Sequence, residues 1–164
     1  MGLDVIAVSQ AEFEHGRNNN GWCTPDLFLI HAVEGFEGHL DGNPQGFYRV
    51  HGERFAFRAG SYSGYNEWRA HLSLMAQQLP MEALWRTPDE WDYKALIALI
   101  DFPDNEGSIG PKTSQRLTLA FEAYRSQAER YARALKSGEA WLEKYGEWHH
   151  AFQIASNNGF VIFE

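Results

Sequence analysis

The stretch Phe55–Arg69, FAFRAGSYSGYNEWR, changes its hydrophobic period midway, and that change constrains the fold more than any other feature of the chain. Up to Arg58 the period is two: Phe55 and Phe57 face one way, Arg54, Ala56 and Arg58 the other, as in a half-buried strand. Beyond it Tyr65, Trp68, Leu72, Met75 and Leu79 recur at steps of three and four, one face of a helix. The spacing predicts a strand, a break at Gly60, a small-residue turn to Gly64, and a helix that Asn66 caps and Pro80 stops. A strand that feeds straight into an amphipathic helix calls for a sheet packed on helices.

The rest of the chain extends that plan. Leu3–Val8 and Leu27–Val33 read as short apolar strands, with a loop over Glu14–Gly21 between them. Phe47–Val50 and Arg54–Arg58 flank His51-Gly52-Glu53, which predicts a bulged hairpin. Thr87-Pro88-Asp89-Glu90 is a capping box opening a helix with Trp91, Ala95, Leu96, Leu99 and Ile100, broken by Asp101–Gly110. Pro111 opens the longest predicted helix, 111–136, along which Leu117, Phe121, Tyr124, Ala128, Tyr131 and Leu135 form one stripe. Trp141, Tyr145, Trp148, Phe152 and Ala155 mark a final helix, Asn157-Asn158-Gly159 its end, and Phe160–Phe163 a terminal strand that joins the N-terminal sheet. These stripes are core stripes. The expectation is one α+β domain over 1–164: a small, mostly antiparallel N-terminal sheet completed by a C-terminal strand and packed against about four helices.

Composition narrows the partners. Fourteen Lys and Arg against 22 Asp and Glu give a net charge of −8, which repels nucleic acid phosphates, and no basic patch visible in the sequence overrides that mean. Cys23 is the only cysteine, which excludes an intrachain disulfide and a multi-cysteine zinc site and fits a reducing cytoplasm. The opening MGLDVIAVSQ lacks the basic and apolar regions of a signal peptide, and no segment approaches the ~20 apolar residues of a membrane span. Neither nucleic acid nor membrane is expected as a partner, and no cofactor is implied.

Two loops offer chemistry. Gly60-Ser61-Tyr62-Ser63-Gly64 precedes a helix, so its amides suit an anion, with charge from Arg58 and Arg69 and further polar groups on Tyr62, Ser63, Tyr65 and Asn66. It is not a Walker phosphate loop, lacking Gly-Lys-Ser/Thr, nor a nucleophile elbow, since Tyr62 stands where serine is required. The competing reading is purely structural: the glycines permit a tight turn while Tyr62, Tyr65 and Trp68 enter the core. The second loop carries Asp101, Asp104 and Glu106, three carboxylates that suit a hard cation but miss the EF-hand pattern. Alternatively these acids complement the dipole of the helix opened by Pro111. The histidines show no HExxH spacing; His149 and His150 face different ways, His31 reads as a core or lining residue, and His15, His39 and His51 lie near loops that could converge. No catalytic set and no metal-ligand set emerges.

Taken together, FRAGSYSGYNEWR at 57–69, DFPDNEGSIGP at 101–111 and HLDG at 39–42 resemble a family of small bacterial and phage-borne proteins without an established activity, over about residues 35–163. Where many of those relatives carry Asp-Cys-Glu-Gly, this chain has Asp104-Asn105-Glu106-Gly107, which argues against a cysteine-based site there. The resemblance implies a bacterial or phage origin and adds no reaction. An acidic, aromatic-rich chain with no catalytic set is expected to be a non-enzymatic binding protein that docks on a target protein, as immunity and anti-defence inhibitors do. The alternative is a small enzyme or ligand-binding domain that uses the 58–69 turn with the 101–106 acids.

Overall fold

The computed structural model describes residues 2–17, 24–86 and 96–164. Among these residues seven strands form two antiparallel sheets. The larger has the order β5-β1-β7-β6, with β1 at Gly2–Val8, β5 at Arg54–Ser61, β6 at Gly107–Ile109 and β7 at Phe160–Phe163. The smaller has the order β2-β4-β3, with β2 at Ala11–His15, β3 at Leu27–Ile30 and β4 at Gly46–Val50. The helices are α1 (Tyr62–Gln77), α2 (Met81–Arg86), α3 (Ile97–Ile100), α4 (Pro111–Ala123), α5 (Arg125–Ala134) and α6 (Gly138–Ala155), with a 3-10 turn at Glu37–Leu40. This is an α+β fold.

The larger sheet is covered on both faces, and its sequence shows it. On β7, Val161 and Phe163 enter the core shared with the helices, while Phe160 and Ile162 enter a second core under the smaller sheet. On β1, Leu3, Val5 and Ala7 face the helices and Val8 faces the smaller sheet. A strand buried on both faces is apolar throughout, which is why Phe160–Phe163 is an unbroken run. The terminal strand does join the N-terminal strand, Ile6 opposite Ile162.

The predicted hairpin at 51–53 does not form. β4 pairs with β2, and β5 pairs with β1. Two long paired segments, β1–β2 and β4–β5, therefore pass from one sheet to the other at a shared corner. There Ser9 N–H bonds Glu53 O (3.0 Å), Gly52 N–H bonds Ser9 O (3.2 Å), and Ser9 Oγ accepts from Glu53 N–H (2.8 Å). A Cβ on Gly52 would lie 2.3 Å from Ser9 Oγ, so glycine there allows two chains to cross, not one to reverse.

Three other expectations are corrected. The predicted loop from Glu14 begins later, because Glu14 and His15 belong to β2, a short charged edge strand in which only Ala11 and Phe13 are apolar. The predicted 111–136 helix is two helices meeting at Tyr124, whose ψ of 0° interrupts them without any Pro or Gly. Finally, β6 lies within the segment predicted to be only a helix break, its three residues paired with β7. The capping box at Thr87–Glu90, with Trp91 and Ala95, and the single Cys23 lie outside the described residues.

The helical core rests on aromatic contacts between α1 and α6. Trp68 Nε1 donates to Trp141 O (3.1 Å) and Trp141 Nε1 to Trp68 O (3.2 Å), so each buried indole meets its partner's main chain. Trp148 packs against Tyr65 and Trp68 with centroids 5.5 and 5.9 Å away. The predicted aromatic stripes on the last two helices are core: Leu117, Phe121, Ala128, Trp141, Tyr145, Trp148, Phe152 and Ala155 are all buried.

Candidate functional site

Helix α1 is capped five residues earlier than its sequence suggests. Ser61 is the N-cap, its Oγ accepting from Gly64 N–H at 3.1 Å, and Gly64 lies within the first turn. The positive φ falls on Gly60 (+132°), the last residue but one of β5. Asn66 is thus not a cap, and its amide is released for a tertiary role. Ser63 Oγ lies 3.2 Å from Ser61 Oγ, and Tyr62 packs against the helical core. One amide of the proposed anion nest is therefore already engaged by the cap.

Arg69 is the centre of the site. It sits one helical turn past Asn66, is 6% exposed, and lies across the Tyr65 ring at 5.1 Å. Its Nε donates to Asn66 Oδ1 (2.7 Å), and one terminal nitrogen donates to Phe102 O (2.6 Å) and Ile100 O (3.2 Å). Its other terminal nitrogen is 3.7 Å from Asp104 Oδ2, which also accepts from Asn66 Nδ2 at 2.8 Å. Asn66, Arg69 and Asp104 thus form one closed set of charge-assisted bonds that ties α1 to the 101–104 loop. The planar guanidinium suits this task because it reaches two main-chain carbonyls and a carboxamide at once.

The two stretches singled out from sequence do meet, yet not all their residues converge. Arg58 lies apart, exposed on β5 in an ion pair with Asp4 (2.9 Å). Tyr65 is buried, its hydroxyl has no hydrogen-bond partner among the described residues, and burial pushes that group's pKa up. Asp101, half-buried, has its carboxyl raised above the ordinary range by burial, with Arg69 and His39 opposing the rise. Glu106 is exposed and faces His31 at 3.4 Å. Asp101 and Asp104 both neighbour Arg69 while Glu106 faces His31, and among the described residues no group of three His, Cys, Asp or Glu side chains is placed to hold a metal ion.

At the start of the helix opened by Pro111 the first-turn amide of Thr113 is taken by Asp41, which lies outside the acidic loop. Its carboxylate accepts from Thr113 N–H (2.8 Å) and from Thr113 Oγ1 (2.7 Å), and Arg116 donates to the same hydroxyl (3.0 Å). His39 O accepts from Gly110 N–H at 2.7 Å, and the His39 ring packs on Phe36 and Phe102. Burial lowers the His39 pKa against the raising effects of the Ala98 carbonyl and Asp41. Residue-by-residue reasoning missed His39 and Asp41 as members of this region. The available signal was the HLDG segment, which meets the DFPDNEGSIGP stretch here. His15 and His51 do not share their neighbourhood: His15 packs on Phe47 and His51 lies 3.4 Å from Glu12. His149 packs on Phe121 and His150 on Phe55, opposite ways as expected.

Chemically, this arrangement binds its own main chain. The floor is filled by Tyr65, Trp68 and Trp148, and the polar rim is hydrogen-bonded to itself. Among the described residues no helix is long and apolar enough to cross a membrane. The chain matches no protein-family model, no curated protein and no solved structure.

Proposed function

We propose that this chain is a non-enzymatic binding protein that docks on a target protein inside the cell, as immunity and anti-defence inhibitors do. The observation that carries this reading is the closure of the Asn66–Arg69–Asp104 set. The groups best suited to hold a small ligand are bonded to one another over a filled aromatic floor. Ligand sites of the usual kind are recesses with polar groups left to converge on a guest. A rigid, internally satisfied surface instead suits a partner that is met with little rearrangement.

Affinity capture from the native host, with sequencing of the neighbouring genes, tests this directly. The expected result is one stoichiometric protein partner, encoded nearby or targeted by what is encoded nearby. The opposing result is a metabolite that raises the melting temperature of the wild type and not of Asn66→Ala. That outcome would move the protein to the ligand-binding class.

A further inference from the structure

The acidic mean conceals a basic face. Residues 107–136 hold six Lys and Arg and two Asp and Glu, which leaves eight and twenty for the rest of the chain. On α4 and α5 the buried side is Thr113, Leu117, Phe121, Ala128 and Ala132. Directly opposite, at steps of four and three, run Lys112, Arg116, Leu119, Ala123, Ser126, Arg130 and Arg133, and every one is exposed. The bonds Tyr124 N–H to Ala120 O (3.0 Å) and Ala128 N–H to Tyr124 O (2.8 Å) carry the helical ladder through the bend, so the stripe continues across it. At ~1.5 Å per residue the stripe is about 30 Å long. Lys112, Arg116, Arg130 and Arg133 pair with no carboxylate among the described residues; the one ion pair between Lys or Arg and an acid on these helices, Arg125 to Glu129, lies beside the stripe. Leu119, near the middle, is 59% exposed, the most exposed of the large hydrophobic side chains described.

Resting on the docking reading above, we propose that the outer face of α4 and α5 is the docking surface, and that its partner is a protein presenting an acidic surface around a small apolar pocket. Unpaired cations at both ends select a negatively charged partner and speed its encounter. The centre selects the class of partner. Leu119, Ala123 and Ser126 form an uncharged middle flanked by Arg and Lys, the anatomy of a protein–protein interface, whose core is depleted of charge and whose rim is polar. A nucleic acid backbone would leave that middle unmatched, because its charge is continuous along the strand. A lipid surface needs an apolar stripe, and one leucine does not make one.

The test compares probes and variants. Wild type is titrated with an acidic peptide carrying a central leucine pair, with oligodeoxythymidine, and with phosphatidylcholine–phosphatidylserine vesicles. The same titrations use the fourfold reversal K112E/R116E/R130E/R133E and Leu119→Asp, each first shown by urea denaturation to fold like wild type. Support is peptide binding that beats both other probes and weakens about tenfold or more in each variant, a change of ~1.4 kcal/mol. Preference for the oligonucleotide or the vesicles, peptide binding unmoved by the reversals, or no peptide binding overturns it. So does self-association that the reversals abolish, since the occupant would then be a second copy. If affinity capture yields a partner that the reversal variant still holds, this face is wrong and the docking reading stands. If no partner is captured by either protein, the docking reading fails on its own.

Discussion

Arg69 and the arginines of the α4–α5 stripe carry the same charge in opposite circumstances. Arg69 is buried and its guanidinium meets Asn66, Ile100, Phe102 and Asp104. Arg116, Arg130 and Arg133 are exposed on a helix surface and pair with no carboxylate among the described residues. A buried cation whose Nε and one terminal nitrogen are bonded by its own chain contributes to the fold; a cation left in water contributes almost nothing to it and remains available. The difference separates a structural centre from a candidate contact surface, and it is measurable in stability before any partner is known.

The sharpest way to break the contrast is Arg69→Ala. It would leave the Ile100 and Phe102 carbonyls without their donor, while Asp104 keeps the bond from Asn66, and each buried acceptor left unsatisfied costs about 1–3 kcal/mol. Arg69→Lys should recover less than half of that, because an ammonium cannot reproduce the fork. Urea denaturation measures both. A loss below about 1 kcal/mol for Arg69→Ala would return the residue to the surface class.

The glycines of the same region give a smaller, differential effect. Gly60 holds φ at +132°, a conformation that a side chain strains, so Gly60→Ala should cost about 1–3 kcal/mol. Gly64 is helical, and a Cβ there would meet only Ser61 Oγ at 3.1 Å, so Gly64→Ala should fall within about 1 kcal/mol of wild type. Equal losses at the two positions would mean that the strand-to-helix junction is not where Gly60 places it.

How much of this was legible in the sequence depends on whether the deciding contact is local. The period change at Phe55–Arg69 is local, and β5 followed by α1 is there. The aromatic steps on α6 and the apolar run of β7 were equally readable. The corner at Gly52 was not, because a glycine between two strands looks the same whether the chain turns back or crosses to another sheet; Ser9, forty-three positions earlier, decides. Asn66 looked like a cap because its type suits one, yet Ser61 holds that place and Asn66 bonds Asp104. Sequence correctly associated the 58–69 and 101–106 stretches, but Arg69's donors run to main-chain carbonyls, which leave no mark in a sequence. The basic face escaped for a related reason: its cations are interleaved with Ala, Gln and Leu at helical spacing and form a patch only once the helices are folded.

A modest pH effect sharpens the structural half of the comparison. Burial lowers the pKa of His39 and of His149, the latter against the opposing carboxylate of Glu122. Above the unfolded value of about 6.5 both states are neutral, and neither histidine costs anything. As pH falls below it, the unfolded chain takes up these protons first, so stability declines until the folded values are passed. Urea midpoints recorded downward from neutral pH should fall, and the double change His39→Gln/His149→Gln should flatten that slope. An unchanged slope would show that other groups set it.

The smallest expected stability effect belongs to the outer face of α4 and α5. Its cations make no ion pair with the described carboxylates, and exposed charges away from special features change stability by within about 0.5 kcal/mol. K112E/R116E/R130E/R133E should therefore unfold near the wild-type urea midpoint, with a slight loss from placing Glu near the C-terminus of α5, where the helix dipole prefers cations. A large loss would mean that the stripe serves the fold after all, and the contrast with Arg69 would collapse. A small one leaves Lys112, Arg130, Arg133 and an exposed leucine in register without an ion pair to the described carboxylates, beside an Arg116 that donates to Thr113 Oγ1, and that remainder is what a partner's surface would have to explain.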